Sequence, residues 1–243
     1  MKLLLIVVGM ILLAAPAAAS PVGAPGFSLY HKEQDFSVSG GAGYTHRRVR
    51  SDTFDDNQYD TQGSFRTLVR AQYAVLPWLT PMGTVGLADR RRRLTEFSGE
   101  LGLLAGVGLR VDPIIQRQAT GFGVALLLQG SYERSPGRGH TRVPSALGCM
   151  RESDERMADA ATTWHGEATL LISRKEGRIS FYGGPKVDYD LTRYEEREEW
   201  VRPQNPFGIV IGVDYDVTPE VFFTAEMENF HKDSIYLLVG GRF

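Results

Sequence analysis

The chain has a single cysteine, Cys149, and five histidines among 243 residues. One thiol makes no internal disulfide, so stability must come from packing and hydrogen bonding alone. The scattered histidines and lone cysteine form no closed ligand set by spacing, and neither a metal nor a cofactor is expected. Charge is nearly balanced, 27 basic against 29 acidic side chains for a formal net charge of −2, which favours no nucleic acid partner. Past Ser20 no stretch reaches the roughly 18 apolar residues of a membrane helix, and the richest one, 101–109, is broken by glycines. Gly40, Gly41 and Gly43 sit inside an alternating stretch, not between a strand and a helix, which argues against a phosphate loop.

What is present is alternation. Apolar and polar residues exchange places with period two over 36–47, 64–75, 79–90, 95–111, 122–133, 164–173, 179–191, 207–217, 221–230 and 234–243, the signature of strands with one apolar face. Within 95–111, Phe97, Leu101, Leu103, Ala105, Val107 and Leu109 face one way. Connections alternate between short (76–78, 175–177, 218–219) and long, polar ones (52–62, 135–160, 194–206). Cys149 falls in the longest, as a bystander thiol. Ahead of all this, Met1-Lys2, an apolar run over 3–13 and Ala17-Ala18-Ala19-Ser20 read as a secretory signal peptide, 1–19, cleaved near Ala19. A short leader, 20–34, and one β domain, 35–243, complete the expected organisation.

The last stretch carries Ile235, Leu237, Val239, Gly241 and Phe243 at alternate positions and closes on an aromatic ring. With the signal peptide and the loop asymmetry, it resembles the bacterial outer-membrane β-barrel proteins, whose final strand ends in Phe and is read by the barrel assembly machinery. The resemblance covers the whole expected mature chain and implies an all-β, antiparallel up-and-down transmembrane barrel of about ten strands with periplasmic N- and C-termini. Eight strands result if the 78–93 hairpin lies outside the ring. It also implies an outer-membrane location, with outer-membrane lipid, the assembly machinery and periplasmic chaperones as partners, and a monomer. Tyr236, Leu237, Val239, Gly241 and Phe243 would form the assembly signal.

On the opposite face of these strands the side chains are ionic. Arg47, Arg66, Arg70, Arg90 and Arg110 come from the first four strands, with Glu96 and Glu100. Glu133, His165 and Glu167 follow, then Lys186, Asp188, Asp190, Asp214, Asp216, Glu226 and Glu228. In a small barrel these would meet across a lumen narrow enough for side chains to fill. The first reading is a non-enzymatic barrel plugged by ion pairs; the second is a narrow porin-like channel for small ions or solutes. A third is a rim hydrolase. The ten-stranded omptin proteases, similar in expected strand number, use paired Asp and an Asp-His couple. Asp188/Asp190 and Asp214/Asp216 have Asp-x-Asp spacing, but no Asp-x-His accompanies them. Closure could bring His231 and Asp233 near His46, which is geometry without a motif. No catalytic residue is assigned.

Overall fold

The computed structural model describes residues 36–51, 60–93, 97–114, 122–144, 150–196, 198–229 and 232–243; the expected signal peptide and leader lie outside them. Every described element is a strand: β1 (Phe36–Ser51), β2 (Asp60–Tyr73), β3 (Leu79–Ala88), β4 (Arg91–Arg92), β5 (Phe97–Gly99), β6 (Gly102–Ile114), β7 (Phe122–Pro144), β8 (Met150–Glu176), β9 (Ile179–Tyr194), β10 (Glu199–Pro203), β11 (Phe207–Asp216), β12 (Val221–Asn229) and β13 (Lys232–Arg242). All pairings are antiparallel. Ten ladders, β1–β2–β3–β6–β7–β8–β9–β11–β12–β13 and back to β1, join each strand to its neighbour in sequence order. The last joins Ser37–Arg47 of β1 to Arg242–Lys232 of β13, so the first and last strands leave no sheet edge between them. The 78–93 segment therefore belongs to the barrel wall, with β3 in this ring and β4 as its continuation.

The three short strands change the ring toward the long-loop end. β4 extends the line of β3 past a break at Asp89-Arg90, β5 leads into β6 past Glu100-Leu101, and β10 leads into β11 past 204–206. β13 stops opposite Arg47, and above it β10 takes its place, pairing Val49–Ser51 of β1 with Pro203–Val201. At that level the ring runs β1–β2–β4–β5–β7–β8–β9–β10, eight strands. The barrel therefore has ten strands at the short-turn end and eight at the other, because the β12–β13 hairpin is short, and fewer strands enclose a narrower bore.

Two expected loops contain strand among the described residues. The 135–160 segment carries the continuation of β7 and β8, which run 23 and 27 residues, well past the ~10 that cross a bilayer. Beyond Arg138, paired with Ser98, and Ala160, which accepts from Glu195 N, these strands pair only with each other among the described residues. The 194–206 loop contains β10, and 52–62 ends in the first residues of β2. The Pro, Gly and charge content of these segments reads as loop, but a two-stranded ribbon tolerates the same residues. Short turns sit where expected: Gly177, at φ 62, links β8 to β9, and the Thr218 hydroxyl accepts from the N–H groups of Glu220 and Val221.

Burial is inverted relative to a protein in water. Leu103 is 60% exposed, Met227 61%, Ile211 65% and Phe181 53%, whereas Arg70, Arg90, Asp188 and Glu226 are 1% or less. An apolar surface of this extent is unstable against water, and the side chains it displays are those a bilayer accepts. Inside, three glycines make room for rings on the neighbouring strand: a Cβ at Gly43, Gly212 or Gly240 would strike its register partner Tyr236, Tyr182 or Phe222. Phe97 also points inward, contrary to the apolar-face reading. The break at Glu100-Leu101 reverses which alternate residues face the core, so Phe97 packs edge-on against Tyr194, ring centres 5.1 Å apart.

Candidate functional site: the ionic lumen

Closing a tilted barrel offsets the ladders, so a row of register partners climbs as it goes round. The row that leaves β1 at Ser39 passes through Arg70, Thr84, Gly106, Ser131 and His165 to Asp190. That climb brings Asp190, near the end of β9, to Arg47, well up β1, and the two form an ion pair. His165 lies among three carboxylates. Its Nδ1 contacts Asp190 and is 3.1 Å from Asp188, and its Nε2 is 3.2 Å from Glu167. Glu167 also faces Lys186 Nζ at 2.6 Å and accepts from Gln129 Nε2 at 2.6 Å. Lys186 further pairs with Glu228, which accepts from the Ser234 hydroxyl.

A second knot spans the bore. Glu133 on β7 accepts from Arg66 on β2 at 2.9 Å and from Arg90 at 2.8 Å, and all three side chains are at most 3% exposed. Arg70 reaches Thr84 and Gln129, both at 3.3 Å. Arg47 also donates to Gln62 at 2.9 Å, and Gln62 donates on to the Tyr194 hydroxyl at 3.1 Å. Nearer the short turns, Tyr182 donates to Glu226 at 2.9 Å and Thr224 to Asp214 at 2.6 Å.

Apolar layers bracket this middle. Toward the short turns lie Met82, Ala125, Leu127, Leu171, Tyr182 and Val210; toward the long loops lie Val49, Phe97, Ala161, Tyr194 and Val201. Alternation alone marked the ionic face and missed these residues, which share that face. Arg92 caps the upper layer, paired with Asp60 and with Glu199 at 2.7 Å, its guanidinium 5.2 Å from the Tyr194 ring centre.

Of the residues expected in the lumen, Arg47, Arg66, Arg70, Arg90, Arg110, Glu133, Glu167, Lys186, Asp188, Asp190, Asp214, Glu226 and Glu228 are buried inside. Arg110 pairs with Asp112 on its own strand at 2.7 Å. Asp216 belongs to the short-turn rim, held by Lys175 and by Arg242 at 2.6 Å. Glu100 is a correction: it is exposed at the strand break, where its carbonyl accepts from Ser135 Oγ at 2.7 Å. Glu96 and His231 lie outside the described residues. Tyr236 points inward and Leu237, Val239 and Phe243 outward, while Gly241 is half-buried.

Alternation placed His165, Glu167 and Asp188 on the lumen face but did not show that they cluster. The ligand atoms of these three residues lie within 4.8 Å of one another, a spacing a cation would accept. The signal lay in the pairing, since Glu167 opposes Asp188 and His165 opposes Asp190 across one ladder. Lys186, 2.6 Å from Glu167, already supplies a positive charge there. The described residues of the rim-hydrolase reading lie elsewhere. His46 and Asp233 are register partners, but both are exposed on the outer surface, with their backs to the lumen.

An antiparallel ring with an apolar exterior and an ionic interior defines a transmembrane β-barrel of outer-membrane type. No protein-family model matches the chain, and no curated protein matches it. Solved structures that resemble it include an outer membrane channel from Pseudomonas putida F1, at 9% identity over 91% of this chain and 100% of that one with a TM-score of 0.46. The outer membrane protease OmpT from Escherichia coli has 9% identity over 92% and 99% with a TM-score of 0.44. The outer membrane protein OprG from Pseudomonas aeruginosa has 10% identity over 88% and 98% with a TM-score of 0.41. The likeness is one of architecture.

Proposed function

We propose that the protein is a monomeric, non-enzymatic outer-membrane barrel with a plugged lumen, acting through its surface. One observation carries this reading: in the middle of the lumen Arg47, Arg66, Arg90, Glu133, His165, Glu167, Lys186, Asp188, Asp190 and Glu228 are buried and paired with one another between two apolar layers. A conducting bore needs a continuous water-lined path. Here Arg90 is 0% exposed, Arg70 1% and Lys186 2%, which supports a middle filled by side chains. Buried charges of this kind persist only when paired, which is a structural role. The signal peptide, its cleavage near Ala19 and recognition of the closing strand by the assembly machinery belong to the same reading. They are supported by the N-terminal sequence and by the pairing of Phe36 with Phe243, which exchange backbone hydrogen bonds of 3.2 and 2.8 Å.

Swelling of liposomes containing the refolded protein, in a small sugar such as arabinose, tests the reading. No swelling above protein-free liposomes is expected. Swelling at the rate of a general porin, abolished in the heat-unfolded protein, would assign a diffusion channel instead.

A further inference from the structure

The ladder between β8 and β9 sets His165 opposite Asp190 and Glu167 opposite Asp188, with all four side chains buried in the lumen. Both ring nitrogens of His165 face carboxylates. Nδ1 contacts Asp190 and lies 3.1 Å from Asp188, and Nε2 lies 3.2 Å from Glu167. A neutral imidazole has one N–H and one bare nitrogen, while an ionised carboxylate only accepts. Whichever nitrogen holds the proton, the other aims a lone pair at a carboxylate oxygen. In a buried site that repulsion is costly unless a positive charge lies between the two.

The surrounding charges point the same way. Glu167, Asp188, Asp190 and Glu228 meet Arg47 and Lys186, four carboxylates against two cations. The neighbouring knot of Glu133 with Arg66 and Arg90 offsets one of the two excess negative charges. Lys186 stands at the edge of the cluster, 2.6 Å from Glu167 and 3.8 Å from Asp188, and its pairing with Glu228 keeps it neutralised when the other two turn to another cation. A second proton would give the ring two N–H groups for three carboxylates. A metal ion on one nitrogen takes Glu167 and Asp188 together and leaves one N–H for Asp190.

We propose that His165, Glu167 and Asp188 form a binding site for a divalent first-row metal ion inside the lumen, with zinc as the best match. Their ligand atoms converge within 4.8 Å of one another. Zinc holds nitrogen and carboxylate oxygen at about 2.0–2.2 Å, so the ligand atoms of one site lie about 3–4 Å apart, and the 3.2 Å between Nε2 and Glu167 already meets this. The imidazole argues against calcium and magnesium, which take oxygen ligands. An N–H from Nδ1 to Asp190 fixes the tautomer that leaves Nε2 to the metal. Gln129, which donates to the other oxygen of Glu167 at 2.6 Å, orients that carboxylate. The ion ties β8 to β9 in the middle of the plug, and it enters as the barrel folds around it. The inference rests on the closed lumen of the proposed function.

The full chain, refolded into lipid vesicles with zinc present, passed over a chelating resin and assayed for metal by mass spectrometry of the elements, tests the proposal. About one zinc per folded chain should remain. His165→Gln and Asp188→Asn should each lose it, and Asp190→Asn should bind it about ten-fold or more weakly. Asp214→Asn, which alters a buried carboxylate outside the cluster, should keep it. X-ray absorption of the zinc-loaded wild type needs no variant to fold, and should show a single imidazole with oxygen ligands. A folded wild type without zinc, zinc kept by both His165→Gln and Asp188→Asn, or a thiolate or second imidazole on the metal would overturn the site. Folding is read from heat-modifiable migration on gels. A zinc-free barrel that causes no liposome swelling overturns only the metal, whereas swelling with zinc retained overturns only the closed lumen.

Discussion

Glu133→Ala offers the sharpest perturbation of the interior. Glu133 accepts from Arg66 at 2.9 Å and Arg90 at 2.8 Å, with the three side chains at most 3% exposed. Removing the carboxylate strips two buried guanidinium groups of their shared counter-charge. Each charge-assisted bond contributes about 1.5–3 kcal/mol net, and breaking a buried pair by deleting one partner costs about 3–5 kcal/mol. The two figures agree, so a loss of about 3–5 kcal/mol is expected. Glu133→Gln keeps the volume and one acceptor and should lose about half of that. Reversible urea unfolding in lipid vesicles, followed by tryptophan fluorescence and heat-modifiable migration, gives the difference. A double variant, Glu133→Gln with Arg66→Met, should recover part of the loss by removing one stranded cation. A folded Glu133→Ala variant within about 0.5 kcal/mol of wild type would refute the reasoning, because only water in the lumen could solvate those arginines.

Three further outcomes follow from the same geometry. Gly212→Val should destabilise the barrel by about 1–3 kcal/mol, since the new side chain meets the Tyr182 ring, and Gly212→Val with Tyr182→Ala should restore part of it in the same unfolding assay. Ile211→Arg, placed outward at the middle of β11 where the native side chain is 65% exposed, should cost about 2–4 kcal/mol in vesicles. Deleting Phe243 removes the backbone pair with Phe36 and a ring contact of 6.3 Å, and should lower the heat-modifiable protein recovered from the outer membrane.

The ring was legible because its constraint is simple. Every lipid-facing strand must alternate, and residues such as Leu101, Leu103, Val107 and Val187, Tyr189, Leu191 kept the period without fault. Alternation also put Arg66, Glu133 and Asp188 on the inner face. It could not say which of them meet, because partners such as Arg47 and Asp190 are set by the ladder offset, a property of the closed ring and not of any strand. It failed where a strand breaks: at Glu100-Leu101 the face reverses, so Phe97 moved inward and Glu100 outward. It also undercounted strand beyond the membrane. Outside the bilayer, alternation is no longer demanded, and the ribbon of β7 and β8 reads as loop. The change from ten strands to eight left no local mark either. It depends on β12 and β13 being shorter than β1, a comparison across distant segments.

The central claim, a barrel whose lumen is closed by its own paired charges, is tested most directly by single-channel recording of the refolded protein in a planar bilayer, with Arg66→Ala and Asp188→Ala alongside. The account predicts a silent wild type, with folding confirmed by heat-modifiable migration. Discrete wild-type steps whose size changes with either substitution would contradict it and make the ionic lumen a conduit.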